Sequence, residues 1–130
     1  QGILWYAPLL PFLPQEVRRY REIMGEVLAR HGFDSLLAVT SRSPRVLSAT
    51  IPLLFDPALA DDVLRAKACY KDLVESGLRM GWPPYRLGVD YMDLIAADEG
   101  SDQAELYRRL KTALDPNNII SPGRYSAVPA

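Results

Sequence analysis

The order in which strand-like and helix-like segments follow one another is the feature that most constrains how this chain can fold. Short apolar and β-branched runs are typical of strands, whereas apolar residues that recur at intervals of three and four are typical of helices. The strands are predicted at 2–7, 33–40, 46–55 and 85–95, and the helices at 14–31 and 57–80. This β-α-β-β-α-β order predicts an α+β fold of the ferredoxin-like type, in which an antiparallel sheet carries two helices on one face.

Proline, glycine and aspartate residues mark the predicted element boundaries. Pro8 and Pro11 follow the first strand and cannot donate backbone hydrogen bonds, so this stretch is expected at a sheet edge or in a loop that leaves the sheet. Gly32 suits the end of the first helix. Asp56 and Pro57 suit the N-cap and the first position of the second helix, so that helix is predicted to begin there.

A further helix and an irregular tail are predicted after the last strand. Ser101 is expected to cap a helix over 101–114. The residues of this helix that are predicted to face inward are Leu106, Leu110 and Ala113. The tail 115–125 lacks a regular period, and its adjacent Ile119 and Ile120 are unfavourable in water, so the tail is expected to dock on another surface.

Composition and charge exclude several classes of protein. Of the 130 residues, 48% are hydrophobic and 24% are charged, as in ordinary globular domains, so a wholly disordered chain is excluded. The net charge of −1 lacks the basic excess of a nucleic-acid-binding protein, and no apolar run has the length of a membrane span. With one cysteine, Cys69, and one histidine, His31, an internal disulfide and a multi-thiolate or two-histidine metal site are excluded. We therefore expect no metal, no nucleic acid and no membrane partner.

The beginning of the sequence indicates a piece of a longer protein or a processed product. Gln1 is followed directly by an apolar run, without a methionine, a basic segment or a signal-peptide cleavage site. A soluble protein is expected, and the sequence leaves the cytoplasm and the periplasm open as its compartment.

The segment 82–86 is the most promising place for chemistry. Its double proline delivers Tyr85 and Arg86 to the start of the predicted fourth strand. Arginine is a permanent cation with a planar set of donors, and a neighbouring phenol can share the hydrogen bonding of a negative charge. From the residues alone, an ordinary strand end remains the alternative. A structural rather than a functional role is likewise expected for His31, near a helix C-terminus, and for Cys69, in the core.

Three motifs in order give the sequence a family resemblance. The stretch 110–124 contains an Asp-Pro-Asn turn and a Pro-Gly-Arg segment, Tyr85-Arg86 is followed by Tyr91-Met92-Asp93, and the opening 2–8 ends in Ala-Pro. Together they resemble the FAD-linked oxidases of the vanillyl-alcohol oxidase / p-cresol methylhydroxylase family, most closely its p-cresol methylhydroxylase flavoprotein branch. The resemblance covers essentially the whole chain.

The resemblance implies a partial enzyme. In this family an N-terminal domain binds FAD, a cap domain covers the flavin, and the last segment returns to the FAD-binding domain. Residues 1–98 then correspond to part of the cap domain, and 99–130 to a helix and tail that dock on an FAD-binding domain outside this chain. FAD is bound mainly by that domain or subunit, so the isolated chain is expected to be inactive. A homo-oligomer is also expected.

The resemblance further implies oxidation of a para-substituted phenol such as a 4-alkylphenol. It makes Tyr85 and Arg86 the catalytic pair that binds the substrate as a phenolate, and it places Arg86 and Arg124 beside the flavin. Electrons pass from the substrate to FAD and then to oxygen or a cytochrome c partner. Val39 and Ser48 stand where relatives carry an acid and a histidine, a departure that implies either a less polar substrate or a pocket inactive in hydroxylation.

A non-enzymatic alternative is a stand-alone α+β module with an interaction or dimerisation role and no catalysis by itself. The apolar tail at Ile119 and Ile120 favours the enzyme over this module, because it needs a surface to dock on. An FAD-binding domain encoded directly upstream, or as a separate subunit, would discriminate between the two.

Overall fold

Strand β4 (Val46–Phe55) is the centre of the sheet. In the computed structural model, which describes residues 1–95, 101–122 and 124, the chain divides into two units, Gln1–Arg86 and Leu87–Ala130. The first unit consists of the sheet and two helices. Its elements are β1 (Gly2–Tyr6), β2 (Leu9–Pro11), α1 (Pro14–Arg30), β3 (Ala38–Ser43), β4 and α2 (Ala60–Arg79).

Strands β1 and β2 lie in line along one edge of β4. Tyr6 pairs with Ile51 and Leu9 with Ser48 in one continuous antiparallel register. Pro8, which interrupts the two strands, still accepts a hydrogen bond of 3.0 Å from the amide of Ala49. The predicted first strand is therefore confirmed, and the segment expected as an exit loop continues it.

Strand β3 occupies the other edge of β4. Ala38 pairs with Thr50 and Thr40 with Ser48, before an irregularity between Ser41 and Ser43. The strand predicted at 33–40 is thus displaced toward the C-terminus, since β3 begins at Ala38 and extends to Ser43. Polar residues at 40–43 hid this strand, because their side chains are exposed and carry no apolar period.

The strand predicted at 85–95 is wrong as a regular element. It is reduced to an antiparallel bridge between Pro84 and Pro8, with hydrogen bonds from Leu9 N to the Pro83 carbonyl (2.8 Å) and from Tyr85 N to the Ala7 carbonyl (2.7 Å). Two consecutive prolines lack amide donors and so restrict the ladder to these bonds. The bridge nevertheless occupies the outer edge of β1 and β2, where the fourth strand of the predicted topology belongs.

Helices α1 and α2 cover one face of the sheet, as predicted. Residues 47, 49, 51 and 53 of β4 are buried on this side, and from residue 49 onward they alternate with less buried neighbours. The largest side chains of this core are Trp82, Tyr6, Tyr20, Tyr70, Leu10, Met24, Leu28 and Ile51. Burial of such a set is the main favourable contribution to the stability of the unit.

Both helices begin and end for local reasons. Pro14 begins α1 as predicted, and Gly32, at φ 67°, follows its C-cap His31. The predicted start of α2 at Asp56 and Pro57 is wrong, because α2 begins at Ala60. The Asp56 carboxylate instead accepts a 3.0 Å hydrogen bond from the amide of Ala58, a turn that competes with helix capping.

The second unit contains a 3-10 helix, Val89–Ile95, and helix α3, Asp102–Leu114. Ser101 caps α3 as predicted, since its hydroxyl accepts a hydrogen bond of 3.2 Å from the amide of Ala104. The residues of α3 that were predicted to face inward, Leu106, Leu110 and Ala113, are exposed. Their helical spacing was read correctly, but the described residues do not bury that face. No helix in the described parts of the chain is long and apolar enough to cross a membrane.

Candidate functional site

The bridge at Pro84 fixes Tyr85 at the edge of the sheet. The Tyr85 amide donates to the Ala7 carbonyl at 2.7 Å, so these two residues lie side by side. Pro84 and its partner Pro8 are buried. Because neighbouring residues of a strand point to opposite faces, Tyr85 lies on the face of the sheet that the helices leave open. Its 56% exposure agrees with this placement.

Trp82 anchors the segment that carries Tyr85. Its side chain is 1% exposed, and its ring meets that of Tyr20 edge-on, with 5.4 Å between the centroids. The indole nitrogen donates to a Glu16 carboxylate oxygen at 2.8 Å, and the backbone amide donates to the Gly77 carbonyl at 2.8 Å. Both donors of a buried tryptophan are thus satisfied, which holds the start of the segment on α1 and α2.

Arg86 lies against the ring of Tyr85. The guanidinium carbon is 5.2 Å from the ring centroid, within the range of a cation–π contact. Arg86 is exposed, and no described carboxylate lies within ion-pair distance of it. The pair predicted from the sequence is therefore brought together in the structure, with a phenol hydroxyl and a cation available for an external anion.

The open face beside Tyr85 is apolar and small at its centre. Strand register puts Tyr85, Ala7, Thr50 and Ala38 in one cross-strand row. The flanking open-face residues are Ile3, Trp5 and Leu9 on the first edge, Thr40 on β3, and Ser48, Pro52 and Leu54 on β4. None of these side chains is charged. A flat ring can lie on this face without desolvating a charge other than that of Arg86.

Val39 and Ser48, which were considered together in the sequence, do not lie on the same face of the sheet. Ser48 lies on the open face, but its cross-strand partner there is Thr40, whereas Val39 pairs with Ala49 and belongs to the other face. Thr40 is thus an open-face residue that sequence reasoning missed. The irregularity in β3 sets this register, and no apolar pattern in the sequence signals it.

Arg124, the third predicted site residue, belongs to the second unit. It is exposed, and its amide donates to the Ser121 carbonyl at 3.3 Å. This hydrogen bond fixes the backbone of Arg124 in the tail that follows α3. Tyr91 and Met92, the companions of Tyr85 in the sequence motif, lie in the 3-10 helix rather than in a strand, and the side chain of Asp93 lies outside the described residues.

Asp115 makes several polar contacts among the described residues of the second unit. Its carboxylate is buried and accepts from the amides of Ile119 (2.9 Å) and Ile120 (2.8 Å). The ammonium of Lys111 bonds to the same carboxylate and to the Ile120 carbonyl. The hydrogen bond from Lys111 and then that from Ile119 lower the pKa of Asp115 to about 2. Asp115 is therefore an anion at neutral pH.

The other ionisable residues that stand out have structural roles. His31 caps α1 and meets the Asp72 carboxylate at 2.8 Å, and Cys69 is fully buried in the core, both as expected. Burial raises the pKa of the Cys69 thiol to about 11, and Asp72 adds to the shift. In the described ranges, no three His, Cys, Asp or Glu side chains are grouped so that they could hold a metal ion.

Comparison with known protein families shows the class to which this sheet, helix and tail belong. The family model "FAD linked oxidases, C-terminal domain" matches residues 49–125, and the chain belongs to this family.

Two particular relatives are a decarboxylase and the flavoprotein subunit of a dehydrogenase. The chain is 32% identical over 124 residues to a 1'-carboxy-chondrochloren decarboxylase of Chondromyces crocatus. It is 30% identical over 123 residues to the 4-cresol dehydrogenase (hydroxylating) flavoprotein subunit of Pseudomonas putida. In both comparisons 95% of this chain is covered, and the chain spans 23% of the relative's length.

Solved structures agree with these matches. A p-cresol methylhydroxylase with substrate bound superposes with a TM-score of 0.89 at 28% identity, over 98% of this chain and 24% of that one. A 4-ethylphenol oxidase of Gulosibacter chungangensis, in complex with isoeugenol, gives a TM-score of 0.87 at 24% identity, over 98% and 25% of the two chains. The second likeness concerns the fold alone. The predicted α+β class and the family resemblance are thereby confirmed.

Proposed function

We propose that this chain is the C-terminal part of an FAD-dependent oxidoreductase that oxidises a para-substituted phenol. In this proposal 1–98 form part of the cap that covers the substrate, and 99–130 dock on an FAD-binding domain outside this chain. The observation that carries the proposal is the Pro8–Pro84 bridge, which sets Tyr85 on the open face with the Arg86 guanidinium 5.2 Å from its ring.

Tyr85 and Arg86 bind the substrate oxygen as a phenolate. The Arg86 guanidinium attracts the negative charge, and the Tyr85 hydroxyl donates a hydrogen bond to it. Fixed donors of this kind favour loss of the phenol proton without reorganisation of solvent. The ring of the substrate lies on the small residues Ala7, Thr50 and Ala38 of the open face, which leave room beside the larger Tyr85.

Holding the phenolate prepares the substrate for oxidation. Electron density moves from the oxygen through the ring to the para position, which weakens a C–H bond of the benzylic carbon. Departure of that hydrogen with its electron pair converts the phenolate into a neutral quinone methide. FAD, when bound, supplies the acceptor for the hydride. Arg86 and Arg124 contribute positive charge near the flavin, and oxygen or a cytochrome c partner later removes the electrons.

The test is substitution of Arg86 in the complete flavoprotein. Arg86→Ala is expected to lower kcat/KM for 4-alkylphenols by about 10²–10³-fold, the usual effect of removing a donor at a developing negative charge. Arg86→Lys keeps the charge but loses the planar donors, so it restores only part of the activity. Tyr85→Phe removes one neutral donor and has a smaller effect.

Arg18→Ala is the matched control, because Arg18 is an exposed arginine of α1, a helix on the face of the sheet opposite to Tyr85. It is expected to leave turnover unchanged. Wild-type turnover in Arg86→Ala would overturn the role of Arg86. Failure of the complete wild-type flavoprotein to bind FAD or to oxidise any phenol would overturn the proposed function as a whole.

One feature is compatible with the non-enzymatic alternative as well as with the enzyme. Residues 106, 110 and 114 of α3 form an exposed stripe at helical spacing, with Leu114 80% exposed. An apolar stripe of this size suits a protein interface, whether with an FAD-binding domain or with a second copy. Sedimentation of the 130-residue chain separates the two, since a stable dimer without flavin binding supports the module.

A further inference from the structure

The path of the tail after α3 is held by polar contacts rather than by apolar packing. Ile119 and Ile120 are 73% and 67% exposed, so burial of their side chains does not fix this stretch in the described unit. Their backbone amides, by contrast, are both bound by the carboxylate of Asp115, at 2.9 and 2.8 Å. The carboxylate is 8% exposed, and Lys111 bonds to it from the preceding helical turn.

These contacts reverse the chain directly after the helix. The Asn118 amide donates to the Asp115 carbonyl at 3.0 Å. Asn118 and Ser121 have left-handed backbones, at φ 50° and 48°, which non-glycine residues adopt only when the surroundings require it. The Ser121 carbonyl then accepts from the amide of Arg124 at 3.3 Å. Backbone hydrogen bonds thus fix the chain at two points after α3, where Asn118 bonds to Asp115 and where Arg124 bonds to Ser121.

Lys111 completes the arrangement from the other side. Its ammonium bonds both to the Asp115 carboxylate and to the Ile120 carbonyl, so one side chain joins the helix to the chain that returns past it. With Asp115 ionised at neutral pH, the hydrogen bonds are charge-assisted and stronger than neutral ones. Removing the charge of Asp115 therefore loosens the tail at its first fixed point.

We infer that Asp115 is a positioning residue that sets the path of the tail and so presents Arg124 to the flavin. The inference rests on the proposed role of Arg124. Arg124 lies four residues beyond the second amide held by Asp115, and the turn at Ser121 lies between them. Asp115 does not itself touch the flavin in this account; it acts through the backbone of Ile119 and Ile120.

The experiment is a double-mutant cycle in the complete flavoprotein, read by the reduction potential of the bound flavin. Arg124→Ala is expected to lower the potential, because a cation near the ring favours the reduced, anionic flavin. Asp115→Asn is expected to produce most of the same shift. The double variant is expected to shift no further than Arg124→Ala, because both changes remove one effect.

Amide hydrogen exchange provides a second reading that does not depend on the flavin. In Asp115→Asn one of the two oxygens becomes an NH2 group, so exchange is expected to become at least about tenfold faster at whichever of the Ile119 and Ile120 amides loses its acceptor. Lys111→Met is a second variant for the case that Asp115→Asn does not fold, and it is expected to shift the potential less. Asp102→Asn, in the exposed first turn of the same helix, is the control expected to change neither reading.

Each outcome decides between the two proposals. A shift in Arg124→Ala without a shift in Asp115→Asn or Lys111→Met overturns the inference and leaves the role of Arg124 intact. Shifts that add in the double variant show independent action and also overturn it, as does unchanged amide exchange in Asp115→Asn. No shift in Arg124→Ala overturns the proposed role of Arg124, and the inference with it.

Discussion

Gly77 lies at the closest approach of α2 to the sheet and to the segment before Tyr85. A Cβ atom at this position would be 1.9 Å from the hydroxyl of Tyr6 and 3.2 Å from the carbonyl oxygen of Trp82. The first distance is far below any van der Waals contact, so Tyr6 or the helix must move. Only a residue without a side chain allows the buried tyrosine and the tryptophan anchor to occupy these positions.

Gly77→Ala is expected to lower the free energy of unfolding of the 130-residue chain by about 1–3 kcal/mol, the usual cost of overpacking. Gly25→Ala is the matched control. A Cβ at Gly25, also within a helix, meets nothing within 4 Å, so this change is expected to stabilise the chain by up to about 1 kcal/mol through helix propensity. Urea unfolding of the three proteins measures both effects.

Tyr6→Phe should rescue Gly77→Ala. The Tyr6 hydroxyl is buried without a hydrogen-bond partner among the described residues, so its removal costs little by itself. In the Tyr6→Phe background the nearest atom of residue 6 left facing the new methyl group is the ring carbon, at 3.3 Å. Equal losses of stability from Gly77→Ala in both backgrounds would show that the clash with Tyr6 is not the cause.

At the level of elements, the sequence predicts the helices and strands whose apolar residues recur at a regular period. Strand β4 is found at the predicted residues 46–55, and both long helices lie within one residue of their predicted bounds except at the start of α2, which lies three residues later. Strand β3 and the bridge at Pro84 were misplaced, because exposed polar strands and proline-limited pairing leave no such period. Long-range backbone contacts decide these elements.

The tether between α1 and the segment 82–86 gives a prediction at the same scale. Glu16→Leu removes the acceptor of the Trp82 indole N–H, and leaving this buried donor unpaired is expected to cost about 1–3 kcal/mol. Glu16→Gln retains an acceptor oxygen while also losing the charge at the helix N-terminus. The difference between the two variants therefore isolates the hydrogen bond.

Urea unfolding monitored by tryptophan emission measures this difference, and Glu22→Leu, on the exposed part of the same helix, controls for added hydrophobicity. We expect Glu16→Gln to remain within about 1 kcal/mol of the wild type, the range of helix-dipole effects. If Glu16→Leu is as stable as Glu16→Gln, the contact does not anchor the segment.

At the scale of the molecule, the sequence predicts only part of the candidate site. The adjacency of Tyr85 and Arg86 follows from the sequence, and their contact follows from adjacency. The placement of Tyr85 on the open face depends on the bridge to Ala7 and Pro8, about 77 residues earlier, which no local pattern encodes. The Asp115 contacts were missed although Asp-Pro-Asn is visible, because a turn motif does not reveal which amides its carboxylate will bind.

The single cysteine allows the opening of the first unit to be measured. Cys69 is fully buried in α2, and burial raises its thiol pKa to about 11. Only the thiolate reacts with alkylating reagents, so two features suppress labelling in the native protein. At pH 8 we expect native Cys69 to react at least about 100-fold more slowly than the urea-denatured chain, whose thiol has the ordinary pKa of about 8.5.

The pH dependence of labelling identifies the route. If Cys69 is reached only through unfolding of the unit, the rate rises with pH and levels off above about 8.5, the pKa of the exposed thiol. If the reagent enters the folded core, the rate continues to rise toward pH 11, because the buried thiol then sets the thiolate fraction. We expect the first behaviour, since the residues around Cys69 belong to one continuous core. Cys69→Ala combined with Leu64→Cys, at a 65% exposed position of the same helix, is the control expected to react at the denatured rate without urea.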